Sequence, residues 1–507
     1  MALQNTSVIN TLLAAAPILL VLGLMVFLRW GGQRAGPAGW LAGLVIAAFT
    51  FGLTFDVFWV SQLKGLFLAL FVLAVMIPAL LLYHIVDQSG GIRAIAQFLE
   101  QTIADRGILL IVLAWAFSGM LEGLAGFGLP IAIVAPMLVG LGVEPVIAVA
   151  AVAVGHAWSV TFGDMGIIWQ TLIAVVKIDS VALAQTAALM LGIACVLCGL
   201  ASARILGYTQ RAPFVITMAI VMSATQFVLA VIDLTPLAAF GAGAVGVVGG
   251  MSISRNPVSP RNRVSKPLAT ALISYGTLTL LMATIYLIPP LRATLDQVMW
   301  RMEFPQVATM MGFVTPAGFG QAFRFLTHPG ASILAIAMMS YLIFVRRGYL
   351  QKESWRIAFA ATWKSAAPAS IGILSMVGLA ALMDHTGMTL ALARALSDTM
   401  GSAFPFVSPL VGILGAFTTG SNNNSNVLFG TLQQNAALLL GIAPNILIAA
   451  QTTGGSLGSM IAPAKLIVGC STVDLKGREG QVLRVTLPYG LLIGLTMGLV
   501  AFVISRL

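Results

Sequence analysis

The sequence predicts an all-α polytopic membrane protein with about 12 transmembrane helices plus two re-entrant helical hairpins. Composition is the first observation: of 507 residues, 59% are hydrophobic and only 8% are charged, with a mean hydropathy of +1.00. Soluble domains carry about 25% charged residues, so composition excludes a soluble globular protein. The other two observations are a series of long apolar stretches and a pair of regions in which such a stretch is broken by glycine or asparagine.

Twelve apolar stretches predict membrane crossings, which need about 17–25 residues each. They cover residues 8–28, 37–55, 63–86, 145–176, 184–204, 212–232, 236–251, 268–290, 329–346, 366–385, 445–463 and 484–505, and 145–176 and 445–463 are interrupted. The first stretch lacks a basic leading region and a clear small-residue cleavage site, so we interpret it as a retained helix rather than a signal peptide. The three cysteines (Cys195, Cys198 and Cys470) lie in apolar surroundings and predict inert buried thiols.

Two further regions, 107–141 and 402–441, are apolar at both ends and rich in glycine or asparagine in the middle. Each is too short and too broken for two full crossings, so each predicts a re-entrant helical hairpin. Polar backbone at membrane depth is tolerated only inside protein or beside a water-filled cavity. The Asn-rich run that begins at Ser421 is therefore either an exterior loop or a hairpin tip that touches a polar ligand, and the rest of the sequence favours the tip.

Basic residues in short loops predict the orientation. With the N-terminus and the C-terminus outside, six groups of Lys and Arg lie inside, and the net charge of +10 then reflects membrane topology rather than nucleic-acid binding. The groups are Arg29 and Arg34; Arg93 and Arg106; Arg204 and Arg211; Arg255, Arg261, Arg263 and Lys266; Arg346, Arg347, Lys352 and Arg356; and Lys476, Arg478 and Arg484. The exceptions, placed outside or at the outer interface, are Lys64, Lys177, Arg292, Arg301, Arg324 and Arg394.

An internal repeat accompanies the two broken regions. The run Asp87-Gln88-Ser89-Gly90 matches Asp384-His385-Thr386-Gly387, and Leu141-Gly142-Val143-Glu144-Pro145 matches Leu440-Gly441-Ile442-Ala443-Pro444. We therefore expect residues 1–251 to form a first inverted repeat with additional helices, 252–267 a basic cytoplasmic loop and 268–507 the second repeat. Paired broken segments in inverted halves are the best sequence indication of a transporter's binding site.

The candidate substrate-binding residues lie on the two hairpin tips and the two broken helices. They are Ser118, Gly119, Gly123, Gly126, Ser159, Ser421, Asn422, Asn423, Asn424, Ser425, Thr452, Thr453, Gly454 and Ser456. Breaking a helix frees N–H groups at a positive dipole end, which suits a carboxylate, and hydroxyls and amides supply further donors. The alternatives are helix packing for the glycines and hydrogen bonds to carbonyls of the same helix for Ser and Thr.

Glu122, His156 and Asp164 are the candidate proton-coupling residues, because ionisable groups at membrane depth are costly and functional by default. His156 and Asp164 could form a coupled pair if the helix unwinds between them. A static ion pair of Glu122 with His156 or Lys465 is the alternative. Lys465 pairs with a substrate carboxylate or snorkels to the inner interface, and the snorkel is slightly favoured. No phosphate-binding loop, dinucleotide fingerprint or zinc motif occurs in a suitable context, so no cofactor or metal is expected and an ion gradient is the expected energy source.

Several of these motifs resemble the signature of the lactate permease family. They include Phe117-Ser118-Gly119, Leu121-Glu122-Gly123, Ala125-Gly126-Phe127-Gly128, Phe162-Gly163, Met165-Gly166-Ile167 and Thr452-Thr453-Gly454-Gly455. The resemblance implies a proton symporter of L-lactate, glycolate or similar small 2-hydroxy monocarboxylates in a bacterial or archaeal plasma membrane, here placed in the bacterial inner membrane. It also implies the inverted-repeat fold of the wider ion transporter superfamily, with scaffold and transport domains, elevator-like alternating access and often a homodimer.

The chain departs from the family pattern at three titratable positions. Family members usually have Asn at the position of His156, a small residue at that of Asp164 and an uncharged residue near Lys465, so a different carboxylate or a different protonation route is an alternative. Two alternatives to a proton-coupled transporter therefore stay open. One is a sodium-coupled carboxylate transporter on the same scaffold; the other is an intramembrane hydrolase or a receptor that uses Ser118 or Ser159 near His156.

Overall fold

The computed structural model describes residues 8–28, 30–126, 128–178, 181–254, 265–475 and 478–506. Within these ranges the protein is built almost entirely of helices, which confirms the predicted all-α polytopic class. Of the basic residues used to predict orientation, Arg29, Arg255, Arg261, Arg263 and Lys476 lie outside the described residues, as does most of the predicted loop 252–267.

Twenty-two α-helices follow one another along the described chain. In the first half they are α1 Val8–Phe27, α2 Gly32–Thr50, α3 Phe55–Gln88, α4 Gly91–Thr102, α5 Arg106–Ile111, α6 Ser118–Leu124, α7 Leu129–Gly140, α8 Pro145–Gly155, α9 Ile167–Val176, α10 Val181–Ile205, α11 Ala212–Val231 and α12 Thr235–Ile253. In the second half they are α13 Lys266–Leu287, α14 Pro289–Leu295, α15 Pro329–Arg346, α16 Ser354–His385, α17 Met388–Met400, α18 Phe404–Thr419, α19 Asn422–Leu439, α20 Pro444–Gly458, α21 Pro463–Ser471 and α22 Glu479–Ile504.

Twelve helical stretches of the described chain are long and apolar enough to cross a membrane, so the protein is a multi-pass membrane protein. They are Val8–Met25, Phe55–Gln88, Arg106–Leu124, Ala157–Val176, Val181–Ile205, Thr209–Val231, Thr235–Ile253, Lys266–Leu287, Pro329–Arg346, Ser354–His385, Met388–Thr419 and Glu479–Ile504. The set differs from the predicted one at four elements. It adds Arg106–Leu124 and Met388–Thr419, which belong in part to the two regions predicted as re-entrant hairpins, and it lacks two of the predicted spans. The predicted spans 37–55 and 445–463 correspond to α2 and α20, which are helical but too polar or too short to belong to it.

The first broken region consists of two helical arms joined by a short irregular segment. A π-helical segment, Val112–Phe117, joins α5 to α6, so the first arm runs unbroken from Arg106 to Leu124. The second arm is α7, and it packs against α6. The chain then enters α8, unwinds through the 3-10 helix Ala157–Phe162, and resumes as α9. The predicted interruption of 145–176 is therefore present.

The second broken region repeats this order of elements. Helices α18 and α19 pack against each other and are joined by Gly420 and Ser421. The Asn-rich run, expected as an irregular tip, instead forms the first turn of α19. Helix α20 continues through Gly454 and ends at Gly458, inside the stretch 445–463 that was expected to be interrupted, and α21 begins at Pro463.

Glycines with a left-handed backbone conformation occur at corresponding positions in the two regions. Gly90 and Gly387 both adopt left-handed conformations before α4 and α17, with φ of 75° and 79°. Gly142 and Gly441 do the same before α8 and α20, each of which begins at a proline. A left-handed residue favours glycine because it has no Cβ. The repeat of residues 1–251 in 268–507, its inversion and the re-entry of each helix pair remain predictions.

A β-ladder between α14 and α15 was not predicted from the sequence. Three short antiparallel pairs are nested in one long hairpin: β1 Met299–Trp300 with β6 Phe323–Arg324, β2 Glu303–Phe304 with β5 Gly318–Phe319, and β3 Val307–Ala308 with β4 Val314–Thr315. Phe304 and Val307 are buried against Val57 and Val60 at the start of α3. The ladder therefore covers the end of the helix bundle at which α3 begins.

Candidate functional site

A buried cavity of about 50 Å³ lies where the two broken regions meet. Its wall combines charged groups, amides and aliphatic side chains from both halves of the chain. The lining residues are Val72, Glu122, Val160, Asp164, Ile167, Ile168, Ile373, Gly420, Ser421, Asn422, Asn423 and Lys465. Of the predicted site residues, it brings together two acids, one lysine and three residues of the Ser–Asn run.

Three helices begin at this cavity. The first residues of α9 and α19 line it, and Lys465 lies in the first turn of α21. The first N–H groups of a helix have no partner within the helix, and its N-terminus carries a partial positive charge. Three such ends around one cavity favour an anion, and a carboxylate can accept their N–H groups.

Glu122 is held between two basic side chains. The ammonium of Lys465 donates to its Oε1 atom at 3.2 Å, and Nε2 of His156 lies 3.8 Å from its Oε2 atom. Glu122 is 1% exposed, His156 0% and Lys465 7%. The predicted alternative of an ion pair for Glu122 is thus what the structure contains. Lys465 does not snorkel to the interface, because its buried ammonium finds a carboxylate inside the protein.

Asp164 is positioned by a strained turn. Asp164, Met165 and Gly166 adopt positive φ angles of 51°, 55° and 76° in succession. A left-handed conformation is unfavourable for residues other than glycine and concentrates at functional sites. The turn aims the Asp164 carboxylate at the backbone of Gly126, whose N–H donates to Oδ1.

Gly126 makes this close approach possible. A Cβ atom at this position would lie 2.6 Å from Oε1 of Glu122 and 2.9 Å from both carboxylate oxygens of Asp164. The two acids therefore crowd the same side of one glycine. The predicted pair of His156 with Asp164 does not form. His156 faces the Glu122 carboxylate, and Asp164 accepts the N–H of Gly126.

One proton would satisfy two polar atoms that now lack partners. Nδ1 of His156 lies 2.7 Å from the Val152 carbonyl, which only accepts, so Nδ1 carries a hydrogen and Nε2 is bare in the neutral ring. Both Nε2 and the facing Oε2 of Glu122 are buried without a hydrogen-bond partner. A proton on either atom would let the two form a hydrogen bond after a small approach.

The charges of the cluster agree with this. When Glu122 and Asp164 are both ionised beside the single ammonium of Lys465, the buried cluster carries one net negative charge while His156 is neutral. A buried uncompensated charge is strongly unfavourable. Binding one proton makes the cluster neutral.

A polar network ties the two broken helices together beside the cluster. Oγ1 of Thr161 donates to the Thr452 carbonyl at 2.9 Å and accepts from Nδ2 of Asn422 at 3.1 Å. The Thr161 N–H donates to Oγ of Ser456 at 3.2 Å. Nδ2 of Asn426 donates to Oγ1 of Thr452 at 2.9 Å. Thr161 connects the halves, although it was not among the predicted site residues.

Several amide atoms near the cavity are left without partners. Both side-chain polar atoms of Asn423 are buried and unpaired, as are the Oδ1 atoms of Asn422 and Asn424 and the hydroxyl of Thr453. Buried polar groups are normally hydrogen-bonded, so each orphan requires an explanation. Asn423 lines the cavity, where its amide can donate to a ligand.

Other predicted residues have structural roles. Ser118 donates to the Ala114 carbonyl at 2.5 Å, and Ser159 donates to the His156 carbonyl at 2.7 Å, which are the alternatives expected for helical serines. Neither hydroxyl contacts the His156 ring, so the geometry lacks the nucleophile–base pair of the hydrolase alternative. Ser425 donates to the Gly412 carbonyl at 2.9 Å.

The remaining predicted glycines are packing positions. A Cβ at Gly119 would lie 2.6 Å from the Trp158 ring, one at Gly123 would lie 2.4 Å from the backbone of Phe240, and one at Gly454 would lie 1.9 Å from a backbone oxygen. Among these four glycines only Gly126 faces the charged cluster. All four were predicted as substrate-binding residues, because the sequence does not reveal which side of a helix faces a neighbouring helix.

The sequence was compared with known protein families and proteins. The sequence profile of the L-lactate permease family matches residues 10–507. The glycolate permease GlcA of Escherichia coli strain K12 is 27% identical over 537 residues, which cover 97% of this chain and 95% of that protein. An L-lactate permease of Bacillus subtilis strain 168 is 26% identical over 544 residues, with coverage of 97% and 95%.

The structure was also compared with solved structures. The YdaH transporter of Alcanivorax borkumensis has a TM-score of 0.49 and 16% sequence identity, and the similarity covers 97% of this chain and 98% of that one.

Proposed function

The chain belongs to the L-lactate permease family. From this premise we propose that it is a secondary active transporter of a small 2-hydroxy monocarboxylate, such as L-lactate or glycolate. We propose further that it moves this substrate together with a proton, by alternating access. The observation that carries the proposal is the meeting of three helix N-termini and a buried acid–base cluster at one cavity.

The substrate carboxylate binds at the helix N-termini. N–H groups at the starts of α9 and α19 and the unpaired amide of Asn423 provide donors without a buried counter-charge. The same amide oxygen can accept from the 2-hydroxyl group. Because Lys465 is already paired with Glu122, it stabilises the acid rather than neutralising the substrate.

Proton binding and anion binding are coupled through the charge of the cluster. Without the proton, the net negative charge of the cluster repels a carboxylate in the same low-dielectric cavity. With the proton between Glu122 and His156, the cluster is neutral and the anion is no longer repelled. Linkage is reciprocal, so a bound anion also favours the protonated cluster, and substrate and proton travel together.

Alternating access requires the two broken regions to move relative to the surrounding helices. The cavity is small in this conformation, and its wall combines the ends of the short helices α9 and α21 with the long helices α3 and α16. Broken helices around a central site are typical of transporters that alternate between two faces. We further place the protein in the bacterial inner membrane and propose a homodimer, as expected for this class.

The test is uptake of radiolabelled L-lactate and glycolate into proteoliposomes with and without an inward proton gradient. Wild type should accumulate substrate only with the gradient. Glu122→Gln removes the charge that the proton compensates, so any remaining uptake should be independent of the gradient. Glu353→Gln, which changes an exposed acid in the turn before α16, is the matched control.

Because Glu122→Gln leaves a buried ammonium without a partner, the double variant Glu122→Gln/Lys465→Gln is included. It removes both charges of the pair and leaves the Asp164 carboxylate as one net negative charge, so proton dependence that is lost in Glu122→Gln should return in the double variant. Uptake that stays proton-dependent in Glu122→Gln alone would contradict the assignment of Glu122.

Sodium coupling is the second candidate, favoured by the unpaired oxygens of Asn422, Asn424, Asn426 and Thr453. Hard cations prefer oxygen ligands of this kind. Replacing external Na⁺ by choline at fixed pH separates the two: a proton-coupled transporter keeps its uptake, and a sodium-coupled one loses it.

A further inference from the structure

Cations gather at the end of the molecule that carries the β-ladder. Lys64 lies near the start of α3, Lys177 follows the end of α9, and Arg324 lies in β6. These residues are exceptions to the predicted positive-inside pattern, and the fold brings them to one face. Cations that do not help to orient the protein in the membrane require another explanation.

Two cavities open among these cations. One, of about 130 Å³, is lined by Lys64, Lys177, Asp384, His385 and the ladder residue Gln321, among others. The second, of about 330 Å³, continues past Lys177 and Gln321. It is also lined by Arg292, Arg324, His328 and one acid, Asp233. We call the two cavities together the vestibule.

The vestibule has a surplus of positive charge. Nδ1 of His385 donates to the Ala381 carbonyl at 2.8 Å, so its Nε2 accepts from the Lys64 ammonium at 3.3 Å and the ring is neutral. That contact therefore leaves the charge of Lys64 uncompensated. In the first cavity Asp384 balances only one of the two lysines.

The arginines are differently placed. Arg292 is paired with Asp233, and Arg324 lies 3.6 Å from Asp296. Lys177 forms no ion pair with any other described residue, is exposed, and lines both cavities. It is therefore the cation most available to an incoming anion.

The vestibule lies one helical turn from the central cavity. On α3, Val72 lines the central cavity and Leu68 the vestibule; on α16 the corresponding residues are Ile373 and Val377. On α19 they are Asn423 and Val427. Residues four apart lie on the same helix face. Three helices thus carry lining residues from one space to the other, and five of these six residues are apolar.

We propose that the vestibule is a second carboxylate-binding site, which collects the substrate anion at the ladder face and passes it to the central cavity. Lys177 and Lys64 attract the carboxylate, and the apolar turn formed by Val72, Ile373 and Val427 closes between the two sites. A groove with a surplus of positive charge raises the local concentration of an anionic ligand. The inference rests on the proposed function, since it names the route to the same central site.

The first test compares uptake kinetics of Lys177→Gln and Lys64→Gln with wild type at low and high ionic strength. Each variant should raise the apparent KM for L-lactate or glycolate by roughly threefold at low salt, with unchanged maximal rate, and the difference should shrink at high salt. Lys352→Gln is the matched control: it precedes α16, whose 32 residues separate it from Asp384 by roughly 45 Å. A lysine variant that behaves like this control would overturn the proposal.

The second test does not depend on transport. A cysteine at Gln321 is modified with an anionic and a cationic methanethiosulfonate reagent, because the three native cysteines are buried. The ratio of anionic to cationic rates should fall severalfold when Lys177→Gln is added, and L-lactate should slow the anionic reaction in the parent. If the ratio stays the same while wild type transports, the vestibule proposal is wrong and the proposed function stands. If the ratio falls while wild type transports neither acid, the anion site stands and the proposed function fails.

Discussion

Glu122 is the residue on which the charged groups of the site converge. Lys465 contacts one of its oxygens, His156 faces the other, and Asp164 lies on the same side of Gly126. The sequence singled out these four titratable residues because each is unusual in an apolar stretch. It could not tell that Lys465 pairs with Glu122 across 343 positions, since a contact between distant segments leaves no local pattern.

A double-mutant cycle tests the Glu122–Lys465 pair. Glu122→Gln and Lys465→Gln each remove one partner of the buried ion pair and leave the other unpaired. The loss of stability in the double variant should therefore be smaller than the sum of the losses in the two single variants. We expect a coupling of about 1–3 kcal/mol between directly interacting residues. The measurement is thermal unfolding of all four proteins in one detergent. Additive effects would mean that the two side chains do not pair.

Gly126→Ala tests the crowding of the two acids. The added methyl group would lie 2.6 Å from Glu122 and 2.9 Å from Asp164, which displaces one or both carboxylates. We expect a loss of about 1–3 kcal/mol in stability, as for other overpacked sites, together with a severe loss of uptake.

Gly276→Ala is the control for that variant. It lies in α13 with nothing within 4 Å of the added atom, so stability and uptake should stay as in wild type. Full uptake by Gly126→Ala would show that the spacing of the acids does not matter.

At the scale of elements, the sequence predicted where the helices are interrupted, but not the residues at which each helix begins and ends. Gly420 and Gly166, both with left-handed backbones, end or precede helices where the sequence shows clusters of glycine and hydroxyl residues. The Asn422 region was nevertheless expected to be irregular and is helical. The amides of Asn422 and Asn426 donate to Thr161 and Thr452 on neighbouring elements, so they do not compete for the backbone of the first turn. The β-ladder was missed because two-residue strands leave no alternating pattern.

Gly420→Ala tests whether the break before α19 positions the site. Alanine in a left-handed conformation costs about 1–2 kcal/mol, and its Cβ would also lie 3.0 Å from Ala464 at the start of α21. The variant should therefore lose stability and also uptake, measured in proteoliposomes.

Gly441→Ala separates backbone strain from that contact. It has a similar left-handed backbone, with φ of +67°, but nothing lies within 4 Å of its added Cβ. We expect a comparable loss of stability with uptake retained. Equal loss of uptake in both variants would show that the contact with α21 is unimportant.

At the scale of the whole molecule, the sequence predicted the class and the two broken regions, since both follow from composition and spacing. It did not reveal that the exceptional cations gather beside the ladder, because Lys64 and Lys177 belong to elements far apart in sequence. The predicted orientation puts this ladder face outside.

Labelling of intact cells tests that orientation. A membrane-impermeant thiol reagent should modify a cysteine introduced at Gln321, in the ladder, and should not modify one at Lys352, in the turn at the other end of α16. The buried native cysteines should give no background. Labelling of the Lys352 position alone would invert the predicted topology.

Calorimetric titration of the purified protein with L-lactate or glycolate tests the central claim most directly. The claim is that anion binding at the three helix N-termini draws one proton into the cluster of Glu122, His156, Asp164 and Lys465. Titrations at one pH in two buffers of different ionisation enthalpy should give different heats in wild type, corresponding to uptake of about one proton per bound anion. The heats should be equal in the Glu122→Gln variant, in which the charges of Asp164 and Lys465 already cancel. Equal heats in the two buffers for wild type would contradict the account.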